Sequence, residues 1–246
     1  MDLKTLSKCF LRTYLMGSVF NTRGLQNVGL IYALDPALKK IYSEGKSLQR
    51  ARRRHVRLYN SHPFWNPLLV GIFIYLERKT AKGLLPEEMI GKTKSTVVYT
   101  LSALGDSFFG GSLLVTWALG VMIIWYSGLG YAAAFLTIFC LIALQLFKIY
   151  TFYKGVTRGI AFLNRLKGWD LINCGIAVKM LNAALLLMFL VFLWPPGVGF
   201  PFFAGFAAGL CLFAYAVFKL PVCREACIAV FLAGGIMVCN YYSVFF

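Results

Sequence analysis

Three long stretches of the chain carry no Asp, Glu, Lys, Arg or His: residues 107–147, 180–218 and 226–246. Crossing the hydrocarbon of a bilayer takes about 20 apolar residues, because a helix rises about 1.5 Å per residue. The first two stretches are long enough to cross and return, and the third is long enough to cross once. The pattern therefore predicts a polytopic membrane protein.

Two shorter segments precede these stretches and are too short or too interrupted to span. Phe64 to Leu76 reads FWNPLLVGIFIYL, and residues 90–111 are rich in Gly, Ser and Thr. Small residues allow helices to approach closely and tolerate irregular backbone at membrane depth. Short or broken segments beside full spans are typical of transporter binding sites. We therefore predict that segments 63–76 and 90–106 are re-entrant or half-buried and contribute to a transporter binding site.

The predicted fold class is an all-α polytopic membrane protein with about five full spans, short re-entrant or half-buried helical segments, and cytoplasmic amphipathic helices. Residues 1–62 are predicted to form a basic cytoplasmic or interfacial helical region. Residues 63–111 would hold the substrate-site segments. Residues 112–246 would hold the transmembrane helices, with a cytoplasmic amphipathic loop at 148–179, where apolar residues repeat at helical spacing.

Charge is distributed as a membrane topology requires. Residues 1–57 contain twelve of the 25 Lys and Arg residues, and residues 148–179 contain six against the single acid Asp170. The turns predicted at 127–130 and 195–201 have none. By the positive-inside rule the N-terminus is cytoplasmic. No secretory signal peptide is recognisable, so the internal spans are expected to direct insertion.

The net charge of +16 has a membrane explanation rather than a nucleic-acid one. The Arg-rich stretch 43–59 lacks the interleaved aromatic residues of an RNA-binding surface. We expect this helix to face the anionic headgroups of lipids instead. A nucleic-acid partner is not predicted.

Few side chains could carry chemistry. The seven cysteines are scattered and the two histidines, His55 and His62, lack companion ligands, so neither a metal site nor a cofactor is predicted. Asp106 is the outstanding candidate, because a carboxylate at bilayer depth costs about 2.5–3.5 kcal/mol and must face protein or a wet cavity. The alternative is a structural ion pair with Lys92 or Lys94.

Several ordered blocks resemble the IID component of the mannose-type (mannose–fructose–sorbose) phosphotransferase system. The blocks are FLRTYLMGSVFNTRGLQNVGLIYALDPALKKIY, RRRHVRLYNSHPFWNPLLVGIFIYLERKTAKG and STVVYTLSALGDSFFGG. The family motifs fall on Asn21 with Gln26, on Asn60-Ser61-His62-Pro63-Phe64, and on Gly105-Asp106-Ser107. The match covers residues 8–115 well and continues loosely beyond them.

The resemblance implies a non-catalytic permease subunit in a bacterial inner membrane. It implies a IIC membrane subunit, cytoplasmic IIAB phosphocarriers and a sugar substrate as partners, and a higher oligomer of IIC–IID pairs. The residues that would line or support the sugar site are Asn21, Asn60, Ser61, His62, Gly105 and Asp106.

The chain also departs from the family pattern. Arg23 stands where the family has Glu, Ser61-His62 replace Thr-Gln, and Ser107 replaces Pro. An anionic sugar or an amino sugar is therefore an alternative to a neutral hexose. A non-transporting relative that anchors or regulates the phosphotransfer proteins is a second reading. A lipid-modifying membrane enzyme, with Asp106 and His62 as acid and base, is a remote third.

Overall fold

Helices make up nearly all of the described chain. The computed structural model describes residues 1–42, 45–194, 199–219 and 229, and within these residues it contains no strand, only two isolated β-bridges. Two compact units are recognised, residues 1–186 and 187–246. The helical elements are α1 (Leu3–Arg12), a 3₁₀ helix (Thr13–Ser18), α2 (Asn27–Ile41), α3 (Lys46–His55), α4 (Asn66–Ala81), α5 (Glu87–Gly105), a π-helix (Asp106–Leu113), α6 (Leu114–Tyr126), α7 (Gly130–Arg158), α8 (Ala161–Lys167), α9 (Leu171–Leu193) and α10 (Phe200–Lys219). The predicted all-α class is confirmed for this part of the chain.

Helix α4 is the centre of the first unit. Every residue from Asn66 to Ile74 is buried, so this helix is apolar on all sides and must be surrounded. It packs against α1, α2, α5 and α7. The short apolar run predicted as a half-buried segment is thus the most enclosed helix of the unit.

Two glycines allow α4 and α7 to cross with their backbones in contact. A Cβ on Gly71 would lie 2.6 Å from the carbonyl oxygen of Phe152, and a Cβ on Gly155 would lie 2.6 Å from that of Leu68. No real Cβ tolerates such distances. The crossing therefore requires glycine in both helices, as in other close helix pairs built on small residues.

The N-terminal helices belong to the same core rather than forming a separate layer. One face of α2 is fully buried, and it packs on α1, α3 and α4. Pro36 lies inside α2 and leaves the Tyr32 carbonyl without its helical partner. The Arg12 guanidinium donates to that carbonyl at 2.9 Å and lies 4.2 Å from the centre of the Tyr32 ring. This contact joins α1 to α2.

The prediction of a separate short segment at 90–106 was wrong. Residues Glu87–Tyr126 form one continuous 40-residue helix, in which the π-helix Asp106–Leu113 joins α5 to α6. At this Gly-rich stretch the helix changes locally from α to π geometry and is not interrupted. A π-helix inserts residues without ending the hydrogen-bond ladder, which explains how the helix continues.

Three helices are long and apolar enough to cross a membrane: Glu87–Tyr126, Gly130–Arg158 and Leu171–Leu193. The predicted turn at 127–130 is confirmed between α6 and α7, where Gly128 has a φ of 81°. Within α10, the apolar segment Phe200–Tyr215 is shorter than these three helices. Residues 195–198 of the second predicted turn, and the last predicted span except Ala229, lie outside the described residues. The count of five spans is therefore still a prediction.

Helix α9 is joined to the π-helix and α6 by polar contacts. Ser112 Oγ donates to the Gly175 carbonyl at 3.2 Å, and the Asn182 amide donates to the Ser112 carbonyl at 2.9 Å. Thr116 Oγ1 donates to Asn182 Oδ1 at 2.7 Å. Such bonds are a normal means of association for membrane helices, since the hydrophobic effect is absent within lipid.

Within the predicted amphipathic loop 148–179, the chain forms the short helix α8 after α7. Phe162 and Leu166 are buried in the core, while Arg165 and Lys167 are exposed. The surrounding loop is shorter than predicted, because α7 continues to Arg158 and α9 begins at Leu171.

We predict that Gly71→Ala destabilises the chain by about 1–3 kcal/mol, because the added methyl group forces the backbones of α4 and α7 apart. The measurement is thermal unfolding of the detergent-purified protein. The matched control is Gly209→Ala in α10, where nothing lies within 4 Å of an added Cβ. Equal melting temperatures for both variants would contradict the close crossing.

Candidate functional site

The segment Arg57–His62 runs in non-helical conformation from the end of α3 to the start of α4, alongside α5. At one end, Lys94 Nζ donates to the carbonyls of His55 at 3.0 Å and Arg57 at 2.9 Å. A cation at the C-terminal end of α3 also matches the helix dipole. At the other end, His62 packs against Gly105. The segment therefore follows α5 for about three turns.

A groove of about 610 Å³ lies between this segment and α5. Asn60 is exposed and lines it, together with side chains of both charges. The lining residues are Arg54, Arg57, Leu58, Asn60, Glu87, Glu88, Gly91, Lys92, Lys94, Ser95, Val98 and Tyr99. A concave surface with donors and acceptors in this mixture suits a ligand with many hydroxyl groups.

Asn21 organises a loop and does not face the groove with a free amide. Its side-chain nitrogen donates to the Leu25 carbonyl and to Asn27 Oδ1, and its oxygen accepts from the backbone N–H of Gly24 at 2.8 Å. The loop in turn bonds the backbone of Tyr59, through Tyr59 N to the Gly24 carbonyl and Gln26 N to the Tyr59 carbonyl. Asn21 thus positions the segment that carries Asn60.

His62 and Gly105, which were both predicted to line the sugar site, lie in contact in the structure. The His62 Cβ occupies the space that a Gly105 side chain would need, and Trp65 closes it from the other side. The imidazole stacks on Phe109 at 5.4 Å between ring centres. Its Nδ1 accepts from the Phe64 backbone N–H at 3.3 Å.

The pKa of His62 lies below its usual value of 6.5. Burial is the main cause, Lys148 adds to it, and the Asp106 carboxylate opposes it. Lys148 is itself enclosed by the rings of Tyr14, at 4.6 Å, and Phe64, at 5.0 Å. His62 is therefore neutral near pH 7, with its Nε2 carrying the proton.

Asp106 begins the π-helix and its side chain is exposed. The alternative of an ion pair with Lys92 or Lys94 is not supported, because Lys94 binds backbone carbonyls and no ion pair of Asp106 is present among the described residues. Nor does any hydrogen bond or ion pair in that part of the chain join Asp106 to His62, as the acid–base reading requires.

Ser61 points into the protein rather than towards the groove. It is 3% exposed. The predicted set thus divides. Asn60 lines the groove, His62, Gly105 and Asp106 lie beyond its lining at the end of α5, and Asn21 and Ser61 are directed into the protein.

The buried carboxylate of Glu77 positions the site, and the sequence reasoning missed it. Glu77 is fully buried in α4. His55 Nε2 lies 2.8 Å from its Oε1, Tyr42 donates to its Oε2 at 2.8 Å, and Arg54 Nε lies 3.3 Å from Oε1. Arg54 also pairs with Glu87 of α5 at 3.2 Å. The network fixes the end of α3, from which the Arg57–His62 segment starts.

A signal for Glu77 was present in the chain. It ends the apolar run that begins at Phe64, just as Asp106 precedes another. The argument that a carboxylate beside an apolar run needs protein partners applies equally to both. Only the fold distinguishes the paired acid from the exposed one.

No group of three or more His, Cys, Asp or Glu side chains that could hold a metal ion occurs within the described ranges.

Comparison with known proteins places this arrangement in context. A family model described as the PTS system mannose/fructose/sorbose family IID component matches residues 1–191. The fructose permease IID component of Bacillus subtilis is 31% identical over 170 residues, covering 67% of this chain and 60% of that protein. The mannose-specific EIID component of Escherichia coli K12 is 28% identical over 167 residues, covering 67% and 56%. The chain thus aligns with less than two thirds of the length of these relatives.

Two solved structures share the fold. The mannose transporter ManYZ in complex with microcin E492 has a TM-score of 0.56 and 21% identity, covering 76% of this chain and 69% of that one. A second structure, described only as a membrane protein, has a TM-score of 0.67 and 19% identity, with 96% of each chain covered. At these identities the likeness concerns the fold alone.

We expect Glu77→Gln to destabilise the chain by about 3–5 kcal/mol, because it removes the fully buried carboxylate that faces Arg54 and His55. Glu87→Gln removes the other partner of Arg54, but Glu87 is 48% exposed. That variant should lose less than about 1 kcal/mol. Unfolding of both variants in detergent gives the comparison, and similar losses would show that burial of Glu77 is not decisive.

Stability should also fall with acid through His55. Burial lowers the pKa of His55 below 6.5, although Glu77 opposes this. The neutral imidazole is therefore favoured in the folded chain, while the unfolded chain takes up a proton as the pH falls through 6.5. This contribution to stability is fully present above that pH and is lost progressively below it. Melting temperatures at pH 8, 6 and 5 should fall less for His55→Gln than for the wild type.

Proposed function

Because the chain belongs to the mannose/fructose/sorbose family of IID components of the sugar phosphotransferase system, we propose that it is the IID membrane subunit of a sugar permease. It would form the sugar-translocating channel together with a IIC subunit. Uptake would be coupled to phosphorylation by cytoplasmic IIAB carriers. The observation that carries the proposal is the groove beside α5, which collects Asn60 and the charged side chains around it.

The groove supplies binding rather than reaction chemistry. Amide, carboxylate and ammonium groups can bond sugar hydroxyls in a directional way. Asn60 would contact the sugar in the groove, and Asp106, beyond the groove next to the contact of His62 with Gly105, would accept from a hydroxyl group. Asn21 and Ser61 would support the segment from behind. Phosphoryl transfer would take place on the IIAB partners, so this subunit needs no nucleophile, metal or cofactor.

The membrane arrangement follows the charge distribution. The basic N-terminal region would lie on the cytoplasmic side of a bacterial inner membrane, with exposed cations of α3 towards anionic lipid headgroups. Assembly into a higher oligomer of IIC–IID pairs would follow the family.

A regulatory, non-transporting role is the second candidate, and Arg23 favours it. Arg23 is exposed on the loop that Asn21 organises, at the position where the family resemblance has an acid. A cation there changes the charge offered to a neutral sugar. The lipid-modifying reading has no such support, since its acid and base are not bonded to each other within the part of the chain that the structure describes.

The test is uptake of a panel of labelled sugars by cells that co-express this chain with its cognate IIC and IIAB proteins. We predict uptake of one sugar class by the wild type and a loss of about ten-fold or more for Asn60→Ala, which removes a bond to substrate, and for Asp106→Asn, which replaces a charged acceptor by a neutral one. Asn164→Ala and Asp2→Asn are matched controls at exposed positions away from the groove and should transport normally.

A stable complex with IIC that takes up no sugar would contradict the transport proposal and support the regulatory role. Uptake that is unchanged in Asn60→Ala and Asp106→Asn would retain the permease function and place the sugar elsewhere.

A further inference from the structure

Asp106 and Lys179 are charged side chains within span-length helices that have no partner of opposite charge among the described residues. Asp106 belongs to the helix Glu87–Tyr126 and Lys179 to the helix Leu171–Leu193. Both are exposed, and no ion pair among the described residues includes either of them. Ionisable groups within membrane spans face a protein partner or a water-filled path, because hydrocarbon excludes them.

The position of Lys179 is a consequence of the fold. The sequence pattern placed it at the edge of a predicted span that begins at residue 180. Helix α9 begins at Leu171, so Lys179 lies in its third turn. The Asp106–Leu113 segment lies directly beside it, since Gly175 and Asn182 of α9 bond Ser112.

The lysine side chain extends over the π-helix towards Asp106. Its Nζ donates to Ser107 Oγ at 3.2 Å, next in sequence to Asp106. A Cβ on Gly111 would be 3.8 Å from Lys179 Cε and 3.4 Å from the Asp106 carbonyl oxygen. Gly110 has nothing within 4 Å of an added Cβ. The glycine pair thus places no side chain on this surface of the π-helix beside Lys179.

Lys148 shows what a structural lysine looks like in the same unit. It is 8% exposed and enclosed by the rings of Tyr14 and Phe64. Lys179 has no ring contact of this kind among the described residues, and it makes one hydrogen bond, which leaves two of its three N–H donors free. Lys179 therefore has N–H donors available for a ligand, whereas Lys148 is enclosed by aromatic rings.

We propose that Lys179 is a further sugar-binding and specificity-determining residue, which donates to an oxygen of the substrate while Asp106 accepts from a neighbouring hydroxyl. A polyhydroxyl ligand carries both donors and acceptors, so it can satisfy the two charges at once. Neither charge needs to pair with the other. This inference rests on the proposed sugar-permease function, and Ser107 positions the lysine for it.

The experiment measures equilibrium binding of labelled sugar to the purified complex of this chain with its IIC partner. Lys179→Met should weaken binding by about ten-fold or more, since a bond from a charged donor is lost. Lys179→Arg should retain part of the affinity. Lys8→Met, at an exposed lysine of α1, is the matched control and should bind as the wild type does.

Deoxy analogues of the transported sugar make the assignment specific. For the analogue that lacks the oxygen bound by Lys179, wild type and Lys179→Met should bind equally, whereas other analogues should keep the full difference. A purely structural lysine would lower the affinity for every analogue by the same factor, and that result would overturn the proposal.

Other outcomes also decide against the proposal. Loss of the IIC complex in Lys179→Met would show that the lysine pairs with a carboxylate of the partner instead. Unchanged binding and an intact complex would show that it reaches lipid phosphate. If the wild-type complex binds no sugar at all, the proposed function fails, whereas normal binding by Lys179→Met overturns only the role of this lysine.

Discussion

The rest of the first unit depends on one buried carboxylate. Glu77 is fully enclosed within an otherwise apolar helix, where an unpaired charge would be too costly to keep. Its oxygens are satisfied by Tyr42 after α2 and by Arg54 and His55 of α3, and Arg54 continues to Glu87 of α5. Three elements, α2, α3 and α5, are thereby held at fixed positions around α4. Replacing any one of these partners leaves an uncompensated group, so the network specifies a single arrangement more than it adds stability.

The candidate site follows from that arrangement. With the end of α3 held by Glu77 and by Lys94, the chain can reach α4 only along the face of α5. The loop that contains Asn21 hydrogen-bonds the backbone of Tyr59 in this segment. At the other end of the segment, the absence of a side chain on Gly105 leaves room for His62. Asn60 is left free at the groove because its neighbours in sequence are occupied elsewhere. A rigid core therefore presents a small number of unsatisfied polar groups, which is the usual construction of a binding site.

Much of this could be predicted from local pattern. The apolar stretches indicated the α6–α7 hairpin, the alternation of charge indicated a membrane topology, and the motifs indicated the family. Residues 90–111 were harder, because a Gly-rich stretch is compatible with both a break and a π-helix. The arginines of α3 show the same limit. Arg52 binds Asp35 and Arg54 binds Glu77, while Arg50 and Arg53 are exposed, although all four belong to one basic cluster.

The sequence by itself determined the class of the protein, because hydropathy and charge act on each segment independently of the others. It also identified Asn60, His62 and Asp106 as candidates. The tertiary structure decided which polar groups are used internally and which are free: Glu77 is paired and Asp106 is not, and Lys148 is enclosed while Lys179 is open. These distinctions depend on contacts between residues far apart in the chain. The cost of burying a charge is known from its type, but the partner that offsets it is chosen only by the packing of the helices.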